Sequence, residues 1–138
     1  MKTFITVQRA LSTINFLNKK YKEEIEAVDI VVGMSRGGLV PAVHFSTKAD
    51  KPLIVMYIDR SDNFYLDRIE WIKDKHVLFV DDVCRSGKTM KGAMKKIKEF
   101  GAKTVMSMTL YNVTSIEKKT TPDFSRDIIE DVEFPWDW

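Results

Sequence analysis

One cysteine and two isolated histidines among 138 residues exclude an internal disulfide and leave no ligand set at zinc spacing. No apolar run approaches the roughly 20 residues that span a bilayer. The opening stretch MKTFITVQRALSTINFLNKKY has neither a continuous apolar segment nor a small-residue cleavage site, which predicts a cytoplasmic protein with no membrane partner. Charge of one sign is also missing. The 22 basic and 20 acidic residues leave a net +2 with both signs interspersed, which gives no clear nucleic-acid partner. No internal repeat or low-complexity tract is present. The remainder, 44% apolar and 30% charged, is ordinary globular material, enough for one core, and a single domain over residues 1–138 is expected.

Val7, Ala10, Leu11, Ile14, Leu17 and Tyr21 recur at helical spacing behind Thr6, a residue type that caps helix starts. Residues 27–32 form a short β-branched run that stops at Gly33, and helical spacing returns from Leu39 to about Ala49. A strand is expected over 53–58, a turn over 59–63 and a partly alternating segment over 64–71. Residues 77–80 are continuously apolar. Met90, Ala93, Met94, Ile97 and Phe100 then mark one face of a helix ended by Gly101. A strand over 104–111 precedes a polar stretch, 114–127, that reads as a surface loop, and then the tail VEFPWDW. Strands alternating with helices predict an α/β fold with a mostly parallel sheet and helices on both faces. Ligands of such folds lie beyond the carboxyl ends of the strands, where the loops GMSRGGLVP and DDVCRSGKT both fall.

Gly87-Lys88-Thr89 at a helix start invites comparison with an ATP-binding P-loop, but that motif requires glycine at position 82, where the chain has Asp82. What is left is a loop, Arg85, Ser86, Gly87, Lys88 and Thr89, whose hydroxyls, backbone N–H groups and helix N-terminus suit a phosphate monoester. Asp81 and Asp82 would repel that phosphate. They suit vicinal hydroxyls, as on a ribose, or a divalent ion. A strand end explains the carboxylates alone and a plain turn explains the glycine alone; the two together fit ribose 5-phosphate. In the other loop, Gly37 and Gly38 permit close backbone approach, and Ser35 and Arg36 offer a hydroxyl and a fixed positive charge to a second anion such as pyrophosphate.

With these residues in view, VLFVDDVCRSGKT resembles the phosphoribosyl-pyrophosphate signature of the type I phosphoribosyltransferases. GMSRGGLVPA is similar to the pyrophosphate loop of the xanthine-guanine (6-oxopurine) branch, and FPWDW is similar to that branch's C-terminal pattern. The resemblance implies transfer of a 5-phosphoribosyl group from phosphoribosyl pyrophosphate to a nucleobase, a purine such as xanthine, guanine or hypoxanthine, in purine salvage. It assigns the ribose hydroxyls to Asp81 and Asp82, the 5-phosphate to residues 85–89, and the pyrophosphate with Mg²⁺ to Ser35, Arg36, Gly37 and Gly38. Asp81, Asp82 and Arg36 are the catalytic candidates, with Asp81 and Asp82 also the Mg²⁺ candidates, directly or through water. It further implies a cis peptide at Ser35-Arg36, a homodimer or higher homo-oligomer, and a small hood on the base side formed in part by residues 112–138. Residues 59–63 or 114–127 would supply its mobile loop.

The match departs from the family on the base side. Arg85 stands where those enzymes usually carry an aspartate that takes up the base proton, and a guanidinium cannot do so. Asn112 aligns with the lysine that contacts the 6-oxo group, and Asp131 with the stacking aromatic. Asn112, Asp131 and the backbone at Val132 are the base-side candidates, and Arg85 is a candidate partner for an anionic acceptor. The alternative class is a non-catalytic regulator that binds phosphoribosyl pyrophosphate or a nucleotide. A flavodoxin-like receiver would have no use for SRGG or a phosphate loop. Cys84, His44 and His76 read as packing or surface residues. Trp138 is assigned to the core and a subunit contact, Trp136 either to that role or to cover over the base, and Lys95, Lys96 and Lys98 to a solvated helix face.

Overall fold

A computed structural model describes residues 1–137. In chain order the elements are β1 (Lys2–Phe4), α1 (Val7–Lys20), α2 (Lys22–Ala27), β2 (Ile30–Met34), α3 (Leu39–Ala49), β3 (Leu53–Ile58), β4 (Phe64–Leu66), β5 (His76–Cys84), α4 (Lys88–Glu99), β6 (Thr104–Val113), β7 (Phe124–Ile128) and β8 (Asp131–Glu133). Single 3₁₀ turns cover Ile69–Trp71 and Pro135–Asp137. Among these residues no helix is long and apolar enough to cross a membrane.

The main sheet runs β4-β3-β2-β5-β6-β7. All of its pairings are parallel except the β3–β4 hairpin at one edge. Alternation along β5 shows why the sheet is covered twice: Leu78 and Val80 pack with α1 and α3, whereas Val77 and Phe79 face α4. Each fully buried side chain of this kind contributes about 1.5–3 kcal/mol. The α4 stripe of Met90, Ala93 and Ile97 is the apolar face that the sequence spacing predicts. Thr6 caps α1 by accepting the Arg9 N–H at 3.1 Å, and Gly101 follows α4 with φ 109°, a conformation that favours glycine.

Three features depart from the sequence expectation. The first strand of the main sheet starts at Ile30, after a short helix α2 that spacing did not reveal. The polar stretch 114–127 is not wholly loop: residues 124–128 form the edge strand β7, which is half-exposed and therefore lacks the apolar run of an interior strand. Residues 59–63, by contrast, form the turn that the sequence predicts, in which Asp59 accepts the N–H groups of Ser61 and Asn63 and the hydroxyl of Tyr65. At the carboxyl edge, β1 and β8 make a separate two-stranded parallel sheet, Lys2 opposite Asp131 and Phe4 opposite Glu133. The tail thus divides, with β7 in the main sheet and β8 in this small second layer. Trp138 lies outside the described residues.

Candidate functional site

β2 and β5 are neighbours, and from them the chain winds outward in opposite directions, to β3 on one side and β6 on the other. The crevice between their carboxyl ends is the switch point of the sheet, where the loops after β2 and β5 lead to helices on opposite faces and leave a gap between them. Both glycine-bearing loops open there.

β5 carries the carboxylates inside the strand. Its ladder continues past them, with Asp81 opposite Thr109 and Cys84 opposite Asn112. Residues 81–90 line a cavity of about 330 Å³, so the two aspartates and the 85–89 loop face one hollow. Asp82 is 9% exposed, and its N–H donates to Asp81 Oδ1 at 2.8 Å. Burial, reinforced by the Asp82 carboxylate alongside, pushes the Asp81 carboxyl well above the ordinary carboxylate range. Gly87 enters α4 at φ 84°, and a Cβ there would lie 2.3 Å from Thr120 O, so glycine is required by both conformation and space. Ser86 Oγ accepts the Lys88 N–H at 3.3 Å.

The Ser35-Arg36 peptide is cis. Gly37 and Gly38 press this loop against β5: a Cβ on Gly37 would fall 2.0 Å from Asp82 Oδ2, and one on Gly38 would meet Met34 O and Val80 O at 2.7 Å. The backbone these glycines admit is thus the strand bearing the carboxylates. Arg36 is exposed beside it.

The base-side candidates fall into two groups. Arg85 Nε donates to Asp131 Oδ1 at 2.8 Å, and its Nη2 donates to Val132 O at 3.2 Å, so two of the donors expected to meet an anionic acceptor hold β8 instead. Burial raises the Asp131 carboxyl, but the Val132 N–H and the Arg85 guanidinium outweigh it and hold the group below its ordinary value. Asn112, beside Cys84 on β6, donates to Asp127 at 3.1 Å, while its buried Oδ1 has no partner. An orphaned buried acceptor is costly unless a ligand donor meets it. Burial pushes the Cys84 thiol up, which fits its packing role.

Two contributors escape motif reading. Trp136 donates its indole N–H to Asp82 Oδ2 at 2.9 Å and stacks on Phe134 at 4.6 Å, joining the tail to the carboxylate pair. Lys118 Nζ donates to the carbonyls of Cys84 and Arg85, and the Lys119 N–H donates to Ser86 O at 2.7 Å. This strap satisfies three successive carbonyls at the start of the 85–89 loop. The PWD tripeptide hinted at the first contact; nothing local marks the second.

Among the described residues no group of three or more His, Cys, Asp or Glu side chains is placed to hold a metal. The adjacent Asp81 and Asp82 suit Mg²⁺ in its common manner, one or two carboxylates with the remaining positions filled by water and ligand phosphate.

Comparison with known proteins gives a consistent result. Residues 5–138 match the family model described as phosphoribosyl transferase domain. A purine phosphoribosyltransferase from Pyrococcus horikoshii superposes with a TM-score of 0.81 at 29% identity, over 98% of this chain and 93% of that one. The fold is also that of the xanthine-guanine-hypoxanthine phosphoribosyltransferase of Helicobacter pylori, with a TM-score of 0.82 at 20% identity over 99% and 93% of the two chains. Among curated sequences, the transcriptional regulator GfcR of Picrophilus torridus is 27% identical over 93 residues, 66% of this chain and 48% of that protein. The chain spans about half the length of the curated relatives it matches.

Proposed function

The chain belongs to the phosphoribosyl transferase domain family, and from that premise we propose that it transfers the 5-phosphoribosyl group of phosphoribosyl pyrophosphate to a purine base. The observation that carries this reading is the shared cavity of Asp81, Asp82 and the 85–89 loop at the switch point, with the Ser35–Gly38 turn pressed against the same strand. The likeness to a purine phosphoribosyltransferase over nearly the whole chain supports the choice of base.

In this mechanism the 85–89 loop holds the 5-phosphate through N–H groups and hydroxyls at the start of α4. Asp81 and Asp82 accept from the ribose hydroxyls and would hold Mg²⁺, which when bound neutralises charge on the pyrophosphate. Arg36 and the 35–38 backbone stabilise the departing pyrophosphate, which leaves with the electron pair of its bond to C1. The base nitrogen bonds to C1 and loses its proton. Arg85 cannot take it, whereas Asp131, held ionised at 2.8 Å from Arg85, can. Asn112 Oδ1 supplies an acceptor for a base N–H. The β1–β8 layer and Trp136 act as the hood within a single domain, and the active form is a homodimer or higher homo-oligomer.

The test is pyrophosphate release from phosphoribosyl pyrophosphate and Mg²⁺ with xanthine, guanine, hypoxanthine, adenine, orotate and nicotinate supplied singly. Release with a purine is expected. Silence with all six, alongside measurable binding of phosphoribosyl pyrophosphate, favours the second reading, a ligand-sensing regulator. The Arg85 donors committed to β8 and the likeness to GfcR speak for that alternative.

A further inference from the structure

α4 carries five lysines against one glutamate, an imbalance hidden by the near-neutral chain as a whole. Lys96 pairs with Glu99 at 3.7 Å, and Lys98 donates to Lys103 O at 2.9 Å. Lys91 and Lys95 have no ion-pair partner among the described residues, nor does Lys119 on the strap. These three cations line one cavity of about 390 Å³ together with Ile58, Phe64 and Gly92. It lies behind the phosphate loop, sharing Lys88 and Thr89 with the phosphoribosyl cavity. The one carboxylate lining it, Asp62, is 4.0 Å from Lys88 Nζ.

Gly92 explains the hollow. Glycine within a helix costs about 0.5–1 kcal/mol relative to alanine. A Cβ at this position would lie 2.9 Å from the Phe64 ring, so the missing side chain lets that half-buried ring seat directly against α4 between the lysines. The result is an aromatic wall flanked by unpaired ammonium groups. Lys91 and Lys95, four residues apart, are separated by about 6 Å along the helix axis, a spacing that serves several linked charges better than one.

The geometry points to a second ligand site here, for a nucleoside polyphosphate, with the base against Phe64 and the phosphates across Lys91, Lys95 and Lys119. A flat apolar body with clustered negative charge matches both halves of the lining, and the volume is that of a small-molecule pocket, about 300–1,000 Å³. Even a single nucleic-acid-binding module buries about 600–1,000 Å² of open surface, which suits this concave hollow less well.

The experiment is calorimetric titration of the full chain with ATP and with GTP, in saturating ribose 5-phosphate so that the phosphate loop is occupied. Binding of at least one nucleotide is expected to survive the ribose 5-phosphate. It should weaken at least about tenfold in Lys91→Glu/Lys95→Glu, and measurably in the milder Lys91→Ala/Lys95→Ala, whose thermal melts should match the parent. Asp82→Asn, at a residue that lines the phosphoribosyl cavity and not this one, should leave the affinity unchanged. Absence of binding at millimolar nucleotide, displacement by ribose 5-phosphate, or undiminished binding in both lysine variants overturns the assignment. So does much tighter lysine-dependent capture of a single-stranded oligonucleotide, which would make the groove a nucleic-acid surface.

Discussion

Arg85 Nε and Asp131 Oδ1, 46 residues apart in sequence, meet at 2.8 Å and fasten the 85–89 loop to the β1–β8 layer. Both side chains are partly exposed, so the pair contributes about 0–1 kcal/mol to stability. Its proposed importance lies in function. Asp131→Asn should melt within a few degrees of the parent yet lower kcat by about 10²–10⁴-fold, the usual range for a lost general base. Steady-state kinetics with the accepted purine decide the matter; an unchanged kcat would remove Asp131 from the chemistry.

Asp81 gives a pH signature with a definite sign. Its carboxyl titrates higher in the fold than in the unfolded chain, so the folded state binds the extra proton. That contribution to stability is fully present below about pH 3.8 and is lost as pH rises through the folded value. Asp81→Asn should therefore raise the melting temperature at pH 8 and confer no gain near pH 3.5. The same substitution should abolish Mg²⁺-dependent binding of phosphoribosyl pyrophosphate. Melting curves at both pH values test the first point, and a lower Tm at pH 8 would refute it.

Gly38 has backbone on every near side, with Met34 O and Val80 O 2.7 Å from where a Cβ would stand. Neither carbonyl can move without disturbing β2 or β5. Gly38→Ala is expected to cost about 1–3 kcal/mol, as overpacked sites do, and to displace the 35–38 turn. Urea denaturation measures the cost; a loss below about 0.5 kcal/mol, the range of ordinary surface changes, would mean the loop has slack.

Trp136→Phe retains the stacking on Phe134 but removes the indole donor from the buried Asp82. A hydrogen bond to a charged group is worth about 1.5–3 kcal/mol, so destabilisation of that order is expected. A raised KM for phosphoribosyl pyrophosphate should accompany it, because the carboxylate loses its fixed orientation. A variant with parental stability and KM would show that the indole contact has no role.

That Asp81, Asp82 and the 85–89 loop share one cavity could be read directly from the chain, because these parts are contiguous. Alternating apolar runs and helical stripes determine the strand–helix order, and Asp81 to Thr89 bring two carboxylates and a glycine-centred loop together within nine residues. The base side was not legible in this way. Whether Arg85 faces a ligand or Asp131, whether Trp136 touches Asp82, and which carbonyls Lys118 caps depend on contacts spanning 33 to 54 residues. Asp131 sits on β8, which like its partner β1 is three residues long, too short for a hydrophobic period to announce, and Lys118 and Trp136 lie in a loop and a 3₁₀ turn with no period at all. Local chemistry thus determined which functional groups the two loops present. Only the tertiary structure decided which charges are already taken, because ion pairing and hydrogen bonding are settled by distance in space rather than by position along the chain.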